Sequence, residues 1–379
     1  MGHGMHSGTV EVVERERLPA DATFLSSVRA ALPAWLLARA IVLACAWLAV
    51  WNRHGAPSEG PWTNAGTLDV WDAVWYRQLA EHGYLAYGPL EVRFFPLLPA
   101  AAGAGHTFGI PAGVAAIAVS WLAALAFAAL LHRLMLLETG NEAAARRSAW
   151  LIQLVPGANV LVLGYSEALA GLLAVGFFMA LRHDRRPGLA AVLGVLSGLA
   201  RPTGLLLSAP AAVELLRERP RRWLSGLVTT LSPILATVGF LAFSWYAFGS
   251  FLAPYQSQTR SGLRGGVVNT NLEYLFQTSG GGYKWQFVLV LLVITAFLLW
   301  LCVRTLPASY TVWAALMVAS AVTAFGFHSL PRYLASAFPL VMAAALACRF
   351  RYLWLAVIGV CALAFARVTY LNFVPGPVP

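Results

Sequence analysis

Apolar residues fall in long blocks along most of this chain. Stretches of about 17–25 residues with few charges recur from Pro33 onward, the length a helix needs to cross the hydrocarbon core of a bilayer. Spans are predicted at Pro33–Trp51, Pro111–Leu137, Ser148–Gly164 (broken by Pro156-Gly157), Tyr165–Leu181 and Trp223–Gly249, then over residues 284–303, 309–327, 333–348 and 352–371. Phe94–Phe108 is shorter, carries Pro96 and Pro99, and reads as a broken or re-entrant helix. Residues 187–216 read as a hairpin with Arg201-Pro202-Thr203-Gly204 at its apex. The pattern predicts about 10–12 membrane helices.

Polar segments punctuate these blocks: a tail over 1–30, loops over 52–93 and 250–283, and a last stretch at 374–379 around one membrane domain spanning 31–373. Within 52–93, Trp71, Val74, Trp75, Gln78, Leu79 and His82 recur at helical spacing, which predicts a short amphipathic helix on the membrane surface, ended by Gly83. Its other face carries Asp72 and Tyr76, one turn apart, and Arg77 is spaced to pair with Glu81. Asn141–Arg147 reads as a loop.

Composition agrees. The chain has 379 residues, 59% hydrophobic and 11% charged; a soluble domain carries about 25% charged residues. The fold class is therefore an all-α polytopic membrane protein. The net charge of +10 sits in short clusters between apolar blocks, the distribution of cytoplasmic loops and not of a nucleic-acid surface. This places Arg182–Arg186 and Arg217–Arg222 inside, with the tail over 1–30. Residues 52–93, 250–283, Arg201, the stretch from His328 to Tyr333, and 374–379 then fall outside. Arg39, early in the first span, is expected to snorkel to the nearer interface. Cys45, Cys302, Cys348 and Cys361 lie in or beside apolar blocks at no metal-binding spacing and imply no disulfide. Neither G-x-x-x-x-G-K-[ST] nor G-x-G-x-x-G occurs, so no nucleotide is expected through those loops.

The stretch Leu68–Pro99 concentrates the chemistry: Asp69, Asp72, Glu81 and Glu91 are four of the chain's 16 acidic residues, set among Trp71, Trp75, Tyr76, Tyr84 and Tyr87. Asp72 has two readings, a helix N-cap or a general base at the membrane surface. Glu167 opens a span, where a carboxylate is favoured by the helix dipole or orients an arginine or a sugar hydroxyl. Arg201 interrupts an apolar stretch and is a functional candidate on that ground. Arg332 is a headgroup anchor or a phosphate clamp, and His328 an interfacial or catalytic histidine.

Four segments carry a resemblance. WDAVWYRQLAEHGY followed by FFPLLP, GYSEALAGLL, SGLARPTGLL and SLPRYLASAFPL, in that order over about residues 68–340, resemble the motifs of the GPI mannosyltransferase II (PIG-V-like) family and its bacterial relatives. The segment RPTG stands where eukaryotic members tend to have RSNG. The resemblance implies a GT-C type glycosyltransferase fold with a helical first outer loop. It implies a membrane mannosyltransferase in the cell membrane, using a polyprenyl-phosphate-linked sugar at the extracytoplasmic face. The family's essential acidic residue maps onto Asp72, with Asp69 second. In this reading Arg201 and Arg332 receive the donor phosphate, and Glu167, Trp75, Tyr76, Tyr84, His328 and Tyr333 surround the sugar or the lipid- or envelope-linked acceptor. The chemistry requires no cofactor; a divalent ion on Asp69 and Asp72 stays open as an alternative. Rival classes are a polyprenyl-linked sugar transporter, against which stands the lack of a visible inverted repeat, and a non-catalytic lipid-binding subunit.

Overall fold

The computed structural model describes residues 23–54, 68–89, 91–217, 223–260, 285–323, 327 and 330–373. His328, the tail over 1–22, most of the second polar loop and residues 374–379 lie outside the described residues.

The described residues hold helices and no strand. Helix α1 spans Phe24–His54, α2 Asp72–His82, α3 Leu97–Thr107, α4 Ala112–Thr139 and α5 Glu142–Leu154. Then come α6 Glu167–Arg182, α7 Pro187–Ala200, α8 Ser208–Arg217, α9 Trp223–Phe248 and α10 Ala253–Arg260. The series closes with α11 Trp285–Thr305, α12 Ala308–Val322, α13 Leu330–Ser336, α14 Phe338–Ala347 and α15 Arg351–Phe373. Five of these helices (α1, α4, α9, α11, α15) are long and apolar enough to cross a membrane, and the pair α13–α14, bent by 76°, makes a sixth. The expected 10–12 spans therefore shrink among the described residues. Several apolar blocks are short or broken helices inside the bundle, and hydropathy reads a buried helix as it reads a span.

Other departures have local causes. Helix α1 starts nine residues before Pro33, inside the segment assigned to the polar tail, because the Thr23 hydroxyl accepts the Ser26 N–H at 3.2 Å and caps it. Asn141–Arg147 is helix, not loop. Gly140 ends α4 in the left-handed region at φ 65°, and Asn141 caps α5 by accepting the Ala144 N–H at 2.9 Å. The block Ser148–Gly164 ends as helix at Leu154, with the predicted break at Pro156-Gly157 following. Helix α3 is unbroken, its prolines confined to the first turn, and its 11 residues give it a length of about 16 Å. Helix α2 ends at Gly83 (φ 71°) as predicted, but its buried residues are Ala73, Tyr76 and Leu79. The helix docks this face against α3 and α4 instead of resting on the Trp71–His82 stripe.

At the centre α4 packs against α1, α5 and α6, and α6 continues the packing to α7 and then α9. The α7–α9 contact is a small-residue seam. A Cβ at Gly194 would lie 2.3 Å from Ser232 Oγ, and one at Gly198 would lie 2.4 Å from the Pro233 carbonyl oxygen, so only this G-x-x-x-G pair lets the backbones meet. Phe178 stacks on Tyr310 at 4.6 Å and meets Phe338 edge-on at 5.4 Å, joining α6 to α12 and α14.

Candidate functional site

The site sits where α6 begins. Between Leu154 and Glu167 the chain is irregular, and irregular backbone at membrane depth persists only where its polar groups find partners inside the protein. Here they do. Trp121 donates to the Val162 carbonyl at 2.6 Å, Ser120 to the Tyr165 carbonyl at 2.9 Å, and Arg39 to the Leu161 carbonyl at 3.0 Å. Arg39 does not snorkel: it is 3% exposed, donates also to Gln153 Oε1 at 2.9 Å, and lies 4.4 Å from the Trp35 ring. Neutral acceptors and aromatic faces solvate this cation inside the bundle.

On the other side of the same segment, Gly157 (φ 87°) presses against α13. A Cβ there would fall 2.4 Å from the Pro331 carbonyl carbon and 2.8 Å from the Arg332 nitrogen. Glycine is required twice, by its φ and by this approach, and the contact fixes where Arg332 starts from.

Four charged side chains from four elements then join in a chain. Arg332 Nη1 donates to Asp72 Oδ2 at 2.5 Å, and its Nε donates to Glu167 Oε1. Arg201, at the C-terminal end of α7, pairs with the same Glu167 Oε1. Glu167 is 1% exposed, and among the described residues its Oε2 has no hydrogen-bond partner. Charges alternate along Asp72–Arg332–Glu167–Arg201, so two cations offset two anions. Removing Arg201 or Glu167 from their buried pair costs about 3–5 kcal/mol.

A hydroxyl layer flanks the charges. Tyr76 and Ser166 share a hydrogen bond of 2.7 Å, and Arg201 Nη1 donates to Ser166 Oγ at 3.3 Å. Burial pushes the Tyr76 phenol up to about 12; Arg201 opposes that shift, while Glu167 and Asp72 add to it. Tyr76 therefore stays a neutral hydroxyl across the physiological range. The Tyr165 hydroxyl accepts the Asp72 backbone N–H at 3.2 Å, and the Tyr165 ring lies 4.9 Å from the Arg332 guanidinium carbon. Asp72 is the first residue of α2 and does not cap it: the cap position is Trp71, held at φ 54°, a strained conformation for a bulky residue.

The remaining predicted residues are placed as follows. Asp69 pairs with Arg77 Nε at 2.5 Å, and Arg77 reaches Glu81 at 3.0 Å, so the two candidate acids of the first loop face different arginines. Trp75 stacks on Phe94 at 6.2 Å. Tyr84 donates to the Phe94 carbonyl at 2.5 Å and packs against Phe240 and Phe243. These two rings belong to the apolar cluster beneath α2. Tyr333 lies 5.7 Å from the Arg201 guanidinium carbon. Beyond Arg201 a cavity of about 20 Å³, room for roughly one water, is lined by Ser197, Thr203, Trp313, Tyr333 and Ser336 among others. Among the described residues no group of three His, Cys, Asp or Glu side chains is placed to hold a metal ion.

Sequence reasoning missed Tyr165, Ser166 and Gly157, and also a second charged cluster at the far end of α6, about 24 Å away. There Arg182 Nε donates to Glu138 Oε1 at 2.8 Å, the Tyr310 hydroxyl donates to the same oxygen at 2.7 Å, and Arg182 also pairs with Glu214. His183 Nε2 lies 2.8 Å from Glu138 Oε1. Glu214 lies three residues before Arg217 at the edge of a basic run, and that proximity was the available signal; Glu138 has no such neighbour in the sequence.

No protein-family model and no curated protein matches this chain. Among solved structures the chain is similar to the archaeal oligosaccharyltransferase AglB from Archaeoglobus fulgidus, determined in complex with an inhibitory peptide and a dolichol-phosphate. The likeness has a TM-score of 0.52 at 15% sequence identity and covers 92% of this chain and 56% of AglB, so this chain spans little more than half the length of that protein. The fold is that of a polytopic GT-C type glycosyltransferase.

Proposed function

We propose that this chain is a membrane glycosyltransferase that moves a sugar from a polyprenyl-phosphate donor to a hydroxyl of a lipid- or cell-envelope-linked acceptor. The observation that carries this reading is the convergence of Asp72, Arg332, Glu167 and Arg201 at one end of the bundle. Its likeness in fold to AglB, whose structure holds a dolichol-phosphate, supports the lipid-phosphate donor. The PIG-V-like motifs supply the expectation that the sugar is mannose. The opposite end of α6 carries the basic run Arg182–Arg186, and the positive-inside rule, which assigns such runs to the cytoplasm, supports a site on the extracytoplasmic face of the cell membrane.

The chemistry is a single displacement with inversion. Asp72 takes the acceptor's hydroxyl proton as the acceptor oxygen bonds to the anomeric carbon. The bond from that carbon to the phosphate oxygen breaks, and its electron pair stays on the phosphate. One negative charge leaves Asp72 and one appears on the lipid phosphate, where guanidinium groups stabilise it. Glu167, buried between the two arginines, positions them.

The test is Asp72→Asn in purified protein with a polyprenyl-phosphate sugar. Transfer should fall about 10²–10⁴-fold, the usual contribution of a positioned base, with the protein still monodisperse. Undiminished transfer would remove Asp72 from this role. Movement of the lipid-linked sugar across liposomes without any product would favour a transporter instead.

A further inference from the structure

The two arginines differ in what they can offer a ligand. Arg201 is buried, and its Nη1 already serves Glu167 and Ser166 Oγ. Arg332 is further out, with its side chain 20% exposed. Its Nε holds Glu167, whose side chain is 1% exposed and anchored from both sides. Its Nη1 holds Asp72, whose side chain is 27% exposed. Of the two carboxylates on Arg332, Asp72 is the one that can leave without burying an unpaired charge.

The four groups already sum to zero charge. An incoming phosphate adds a negative charge with no free cation waiting for it in this chain of four. On the outer face of Arg332 it meets the Asp72 carboxylate, a like charge already held by Nη1, and an arginine N–H suits a phosphate oxygen as well as a carboxylate oxygen. We infer that the Asp72 carboxylate holds the place of the donor phosphate on Arg332 Nη1, and that phosphate binding displaces it and frees it to act as the base. Arg201, in this scheme, is a positioning residue that keeps Glu167 fixed. The inference rests on the glycosyltransferase reading above and adds to it an order: Asp72 is released only once the donor is seated.

A competitor that is removed leaves the ligand bound more tightly. Binding of a short-chain polyprenyl phosphate, without sugar, is measured by titration calorimetry on the detergent-solubilised full chain. Asp72→Asn and Asp72→Ala should both tighten it, by about two- to fivefold, the scale of one partly exposed ion pair. Both variants should be inactive in transfer. The opposite sign, weaker binding in both variants, or unchanged binding, would overturn the displacement. Wild-type binding and transfer would then still support the glycosyltransferase reading. Absence of wild-type binding together with absence of transfer would overturn both.

Discussion

Tyr76 shows how much a single buried hydroxyl reports about its surroundings. Its phenol, pushed up to about 12 by burial, gives up its proton less readily in the folded protein than in the unfolded chain, where the ordinary value is near 10. The sign follows: its contribution to stability is intact below pH 10 and is lost as pH rises toward 12. Tyr76→Phe abolishes that loss along with the hydrogen bond to Ser166, a bond worth about 0.5–1.5 kcal/mol. Thermal inactivation should show wild type more stable than Tyr76→Phe at pH 8, with the gap narrowing above pH 10. A constant gap would mean that the phenol does not titrate differently on folding. At this scale the four charged residues were legible in the sequence, since an arginine or carboxylate in an apolar context has to be explained. Which oxygen each guanidinium takes was not legible. Among the described residues Glu167 Oε1 is used twice and Oε2 not at all, and no spacing rule encodes that.

At the scale of elements, the segment between α5 and α6 decides the site. Its carbonyls are held by Arg39, Trp121 and Ser120 from one side, and its Gly157 fits the Pro331–Arg332 backbone from the other. Gly157→Ala brings a methyl group to within 2.4 Å of the Pro331 carbonyl carbon in a φ region that alanine disfavours. We expect α13 to move, with binding of the polyprenyl phosphate weakened at least about tenfold, since both strain and displacement fall on Arg332. Retained affinity would show that Arg332 is positioned by its ion pairs alone. Helix starts and stops were readable where a cap or glycine marks them, as at Gly83 and Pro156-Gly157. They were misread where a polar side chain caps a helix that hydropathy does not see, as at Thr23 and Asn141. The docked face of α2 was misread for a related reason: a helix on a protein surface and one on a lipid surface share the same period, and only the neighbours, α3 and α4, decide which face is buried.

For the whole molecule, α6 separates two charged clusters, one with Glu167 and the other with Glu138. The positive-inside rule assigns them to opposite faces of the membrane, and this is open to direct measurement. Leu85 is 76% exposed beside α2, and Phe350 is 74% exposed in the turn before α15. In a variant lacking the four native cysteines, Leu85→Cys should react with a membrane-impermeant maleimide added outside intact cells. Phe350→Cys should react only after the cells are opened. The reverse pattern would invert the topology and place the site in the cytoplasm. The polytopic fold class was plain from composition. The number of spans was not, because a bundle that buries short helices such as α6 and α12 uses the same residues a lipid-facing helix uses.

The chain of four charges also sets a schedule for biogenesis. Asp72 and Arg332 are 260 positions apart, and a ribosome adding about 5–20 residues per second delivers the arginine roughly 13–50 s after the aspartate. Arg201 follows Glu167 within roughly 2–7 s on the same clock. The nascent protein thus neutralises its inner carboxylate early and leaves its outer one waiting for the C-terminal third. A message truncated before codon 332 yields a chain whose Asp72 never meets Arg332.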